Sequence, residues 1–133
     1  QQLYAEYAKY NSISFERSNN YSALLISVKF YNSKNYAAAI PFFETYLKQH
    51  PANTEIALAL NICKIETGLY DNAINGLDSI IAKQNAFLYQ AQWLKALAYL
   101  KQDKKDECKT ILKQIPGEAD TYEKAQSLLK KLK

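Results

Sequence analysis

A chain of 133 residues, 48% hydrophobic and 23% charged, has the composition of a single globular domain and excludes a disordered one. Three glycines and three prolines are too few for a turn-rich β fold. The net charge of +4 is carried almost wholly by lysine, with Arg17 the single arginine, so the guanidinium forks and concentrated basic face of a nucleic-acid binder are missing.

Residues 1–18 open with a helical pattern in which Leu3, Tyr7 and Tyr10 share a face beside Tyr4, until NSIS breaks it. The segment fits no repeat position; it is expected either to cap the first repeat or to lie in the groove as a stand-in ligand. A helix is predicted over 19–33, capped by Asn19 or Asn20, with Ala23, Ile26, Ser27 and Phe30 as its packing stripe. Asn35 should cap a second helix to about Gln49, with Ala39, Ile40, Phe43, Tyr46 and Leu47 inward. Pro41 removes a backbone donor and predicts a local bend, and Pro51 stops the helix.

The next hairpin begins at Asn53 and packs Ala57, Leu60, Asn61 and Lys64 up to a C-cap at Gly68. Its second helix carries Ala73, Ile74, Leu77, Ile80 and Ile81. The third starts near Phe87 with Trp93, Ala96, Leu97, Tyr99 and Leu100, turns through the charged loop Lys101–Lys105, and continues with Cys108, Ile111, Leu112 and Ile115. Pro116-Gly117 is a stop. A last helix from Asp120, with Glu123 as capping-box partner, sets Tyr122, Ala125, Leu128, Leu129 and Leu132 on one face and lysines elsewhere. The domain reading is thus an N-terminal segment (1–18), hairpins at about 19–51, 52–85 and 86–116, and a capping helix at about 120–132.

The hairpins are copies of one unit. Ala39, Ala73 and Cys108 recur at spacings of 34 and 35, each followed four residues on by a larger side chain, Phe43, Leu77 and Leu112. Small residues let the second helix of a pair approach the first, where Ser27, Asn61 and Ala96 are the slender counterparts. Stacked pairs bury a core that one pair cannot. These residues resemble the tetratricopeptide repeat over about residues 20–119. The match is good from Tyr36 to Pro51, and weaker where Asn85 stands for the closing proline, Cys108 for alanine and Lys105 for tyrosine. The resemblance implies an all-α fold of antiparallel hairpins stacked as a right-handed superhelix with a C-terminal capping helix. More narrowly, LYAEYAKY…FERS, YNSKNYAAAIPFFETYL, QAQWLKALAYLKQDKKDECKTIL and AQSLLKKL are similar to the periplasmic repeat segment of membrane-anchored envelope proteins of Bacteroidota. That likeness implies an extracytoplasmic location and a preceding membrane helix. The chain holds no methionine and is read as a trimmed piece, with any upstream targeting segment lost to view.

Chemistry has little to work with. His50 is the only histidine and sits at a helix end, the two cysteines lie apart and read as free core thiols, and no phosphate loop fits among three glycines. No catalytic residue, cofactor or metal is expected. Function is expected on the inner surface lined by the first helix of each pair. The candidate groove residues are Tyr21, Leu24, Val28 and Tyr31; Leu58, Ile62 and Ile65, near Glu55; and Trp93, Leu97 and Lys101, near Gln90. An apolar, aromatic set of this kind suits a protein or peptide partner. The reading is a non-enzymatic adaptor that holds a peptide or helix in an apolar groove. Self-association is the alternative, with lysine-mediated nucleic-acid binding behind it.

Overall fold

Apolar side chains at helical spacing, interrupted by short polar turns, give eight helices and no strand over the described residues, 1–13 and 22–133 of a computed structural model. They are α1 (Gln2–Tyr7), α2 (Ser22–Asn32), α3 (Tyr36–Gln49), α4 (Thr54–Glu66), α5 (Tyr70–Ala82), α6 (Leu88–Lys101), α7 (Lys105–Gln114) and α8 (Tyr122–Lys131). The fold is all-α, as the pattern predicts. The expected caps Asn19 and Asn20 and the groove residue Tyr21 lie outside the described residues.

The turns show why α2, α4 and α6 stop where they do. At each end one residue takes the left-handed conformation: Lys34 (φ 64°), Gly68 (φ 86°) and Asp103 (φ 59°). The amide after it reaches back into the helix, Asn35 to the Phe30 carbonyl at 2.8 Å, Leu69 to Lys64 at 2.8 Å and Lys104 to Tyr99 at 2.9 Å. The left-handed residue's own amide bonds Tyr31, Ile65 and Leu100 respectively. This is the Schellman closure, which satisfies carbonyls that a helix end leaves open. Only the middle copy uses glycine, the residue that adopts this conformation without cost.

The chain forms two compact units, Tyr10–Asn72 and Gln1–Lys9 with Ala73–Lys133. In the first, α2 packs on α3 and α3 on α4. The Tyr31 ring meets Phe43 edge-on at 6.1 Å and Tyr36 at 5.7 Å, and Phe30 lies 6.0 Å from Phe42. In the second, α6 packs on α7, α7 on α8 and α1 on α6, and Lys95 ties α6 to Asp78 of α5 at 2.7 Å. Ala39, Ala73 and Cys108 are fully buried, as are Phe43, Leu77 and Leu112. Burying a side chain of that second group stabilises by about 1.5–3 kcal/mol.

Three expectations need correction. The packing stripe of α2 is rotated by one residue: Leu24, Ser27, Val28 and Tyr31 are buried, while Ile26 is 37% exposed. Both registers follow the i, i+3, i+4, i+7 rule, and only the partner helix chooses between them. On α4 there is hardly a free side, since Ile56, Leu58–Cys63 and Ile65 are all buried. Finally, α8 starts at Tyr122 behind Thr121, whose side chain makes no capping bond, so the Asp120–Glu123 capping box does not form. As expected, Asn53 caps α4 by accepting from the Ile56 amide at 3.1 Å, and α3 runs unbroken through Pro41.

Candidate functional site

Helix α6 is apolar almost all round, with Ala91, Trp93, Leu94, Leu97 and Leu100 buried. Trp93 and Lys101 lie two turns apart on it. What covers them is α1. The Tyr7 ring meets the Trp93 indole edge-on at 6.2 Å, and the Lys101 ammonium stands 5.2 Å above the Tyr4 ring. From α8, Lys124 lies 4.9 Å from the Trp93 ring, Ser127 shares a 2.6 Å hydrogen bond with the Tyr7 hydroxyl, and Lys131 donates to Glu6 at 2.8 Å while lying 5.2 Å from the Tyr7 ring.

Sequence explains the local geometry. Tyr4 and Tyr7 are three residues apart, so their rings share a face of α1, and Gln1 closes the helix by accepting from the Tyr4 amide at 3.0 Å. On α8, Lys124, Ser127 and Lys131 follow the i, i+3, i+7 rule and form one polar stripe. The electrostatics follow burial and pairing. Burial pulls the Lys124 ammonium below its usual range against the opposing field of Asp120, and the hydrogen bond it donates to Glu6 holds the Lys131 ammonium above it. Only Tyr4 of α1 is buried. Its burial outweighs an exposed cation–π contact, worth about 0.5–1 kcal/mol. The Lys131–Glu6 pair is half exposed on both sides and adds little.

Of the candidate groove residues, Leu24, Leu58 and Trp93 are at equivalent positions of the three repeats, as are Val28, Ile62 and Leu97, and the structure buries them inside the two units. Leu24, Val28 and Tyr31 are buried on α2, with Tyr31 turned to Phe43. Leu58, Ile62 and Ile65 are buried on α4, and Trp93 and Leu97 on α6; Lys101 is half-buried. Glu55 and Gln90 are exposed. The structure brings Trp93 and Lys101 together under α1. Tyr4, Tyr7, Lys124, Ser127 and Lys131, which sequence reasoning did not name as site residues, complete that patch.

In the other unit, the Ile13 backbone is held by the Asn32 side chain. The Asn32 Oδ1 accepts from the Ile13 amide at 3.0 Å, and its Nδ2 donates to the Ile13 carbonyl at 3.2 Å. A small cleft of about 60 Å³ beside it is lined by Tyr10, Asn11, Ser12, Tyr31, Asn32, Lys34 and Tyr36. Burial pushes the Tyr31 phenol well above its ordinary range, with Cys63, Tyr36 and Glu66 adding to the shift. The Cys63 and Cys108 thiols are free and buried, and burial pushes each up to about 12. Neither is a nucleophile at neutral pH. His50 stacks on Tyr46 at 4.4 Å. Among the described residues no three His, Cys, Asp or Glu side chains gather as metal ligands would, and no helix is long and apolar enough to cross a membrane.

Comparison with known families gives two matches. Residues 31–92 match the family described as Tetratricopeptide repeat, and residues 63–132 match Psidin, N-terminal TPR repeats region. Comparison with curated proteins gives no match. The two family matches together cover the stretch in which small residues and Schellman turns recur every 34 or 35 residues, and the chain belongs to the tetratricopeptide-repeat family.

Proposed function

We propose that this chain is a non-enzymatic adaptor that holds a partner's peptide or helix on the first-helix side of its repeats, in a complex of the cell envelope. Tetratricopeptide repeats generally mediate protein–protein interaction, and domains built from them are typically non-catalytic scaffolds. The observation that carries the reading is a helix already seated on such a surface, α1 on Trp93 and Lys101. The periplasmic placement rests on the likeness of the four segments quoted above, and the membrane tether with it.

The test is affinity capture with the native chain and with a Lys101→Glu/Lys131→Glu variant. Both lysines are only partly covered, so the variant should keep its helical circular dichroism. The native chain should retain a partner that the variant loses. Equal capture by both, or capture by neither, counts against the reading. Trp93→Ala and Leu58→Asp suit this test poorly, because both side chains are buried and either change would unsettle the fold. Self-association is the second reading, favoured by Leu25 and Ile26, which stand exposed side by side on α2. Light scattering over a concentration series would show it as a rising mass.

A further inference from the structure

We infer that the patch formed by Trp93 and Lys101 of α6 with Lys124, Ser127 and Lys131 of α8 selects partner helices carrying two aromatic rings one turn apart with a carboxylate beside them, and that α1 is its built-in competitor. The inference rests on the adaptor reading above and names the chemistry of the partner.

The seated segment reads Tyr4-Ala5-Glu6-Tyr7. Each element of it has a matched receptor. One ring lies under the Lys101 ammonium at 5.2 Å. The other meets the Trp93 edge at 6.2 Å, and its hydroxyl bonds Ser127 at 2.6 Å. The carboxylate takes a hydrogen bond from Lys131 at 2.8 Å. Three ammonium groups border the two receptor sites, which favours an acidic occupant and disfavours a basic one. A tyrosine hydroxyl at the second position adds a bond to Ser127 that a bare phenylalanine ring does not make, a small preference because the pair is exposed to water.

The same contacts mark α1 as a weak occupant. Six residues are too few to be helical alone, so its helix exists only while it is seated. One of its side chains is buried; Glu6 and Lys131 remain about half exposed. Covalent attachment keeps α1 at a high effective concentration, which compensates for few contacts. A partner helix of several turns with the same anchors keeps its helix when free and adds contacts along α6. It therefore displaces α1 without needing a second site.

The probe is a synthetic helix of about 18 alanine- and glutamate-rich residues with Leu-Tyr-Ala-Glu-Tyr at its centre. A control has alanine for both tyrosines. Trp93 is the only tryptophan of the 133 residues, so its fluorescence in this chain reports on the patch directly. The expected result is saturable binding of the probe to a Tyr4→Ala/Tyr7→Ala chain about tenfold tighter than to the native chain, with no binding of the control. Equal affinity for both chains, or no saturable binding to either, overturns the inference. So does a concentration-dependent dimer that accounts for the signal, since α1 would then be exchanging between copies. If the double variant does not fold, Glu6→Lys replaces it: the change is at the surface, it sets two cations against each other, and it should tighten probe binding about threefold. A captured partner that binds the native and α1-emptied chains equally would leave the adaptor reading standing and remove the competition by α1.

Discussion

The N-terminal stretch is held at two places, by two kinds of chemistry. At α1 the hold is by side chains: two rings, one hydroxyl and one carboxylate, each with its own receptor on α6 or α8. At Ile13 the hold is by backbone: the Asn32 amide pairs with an N–H and a C=O that any residue except proline would supply. The first contact discriminates among sequences, and the second sets only position. A recognition surface is expected where side chains do the matching. That is why the patch around Trp93, and not Asn32, is the candidate for partner selection.

The comparison can be broken in several ways. Trp93→Ala should cost about 3–5 kcal/mol in urea unfolding, because the indole is 3% exposed and leaves a cavity. It should also release α1 while the Ile13 amide keeps its hydrogen-exchange protection; loss of both would mean the two holds are one. Alkaline pH comes next: each unit has one buried thiol pushed up to about 12, and the Tyr10–Asn72 unit also holds the Tyr31 phenol, raised by burial, so that unit should lose more. The folded value is raised above the ordinary thiol value near 9, so the stabilisation is complete below pH 9 and is lost as pH rises from there towards about 12. Urea midpoints measured from pH 7 to 11 should be flat and then fall, and a disulfide thiol reagent at pH 8 should label neither cysteine until the chain is unfolded.

Asn32→Ala should cost about 1 kcal/mol and deprotect the Ile13 amide, whereas Ile13→Ala should leave that amide protected. Equal deprotection by the two variants would show that the Ile13 side chain, and not its backbone, is held. The smallest effects lie at the turns. Gly68→Ala should lose about 1 kcal/mol through its positive φ alone, because nothing stands within 4 Å of the added methyl. Lys34→Gly and Asp103→Gly should each gain about 0.5 kcal/mol, the relief of left-handed strain being partly offset by the greater freedom of the unfolded chain.

The fold was legible where size alone decides the packing. Ala39, Ala73 and Cys108 with Phe43, Leu77 and Leu112 are buried as their period predicts. The facing of α2 was not legible, because Ala23-Ile26-Ser27-Phe30 and Leu24-Ser27-Val28-Tyr31 are equally apolar stripes and tertiary contact chose the second. Two of the three Schellman turns were not legible for a different reason: glycine is what marks such a turn in a sequence, and lysine and aspartate occupy the left-handed position here. Their spacing from Gly68 would have betrayed them. Of the patch, Trp93 and Lys101 were legible from their place on the first helix of the third hairpin. Lys124 and Lys131 count in the sequence only among the lysines off the apolar face of the last helix, although with Ser127 their i, i+3, i+7 spacing marks a single face. Their partners, Glu6 and Tyr7, are more than a hundred residues away in sequence, where periodicity carries no information.

The repeated turn has a practical consequence. The amides of Asn35, Leu69 and Lys104 each close a turn onto a carbonyl one helical turn inside the preceding helix. An amide in that position exchanges with solvent only when its own turn opens. The three therefore form a set of reporters, one for the turn inside each hairpin and chemically alike. Following them together through a denaturant series would order the local openings along the chain, and would show whether a bound helix steadies only the repeat it touches or all three.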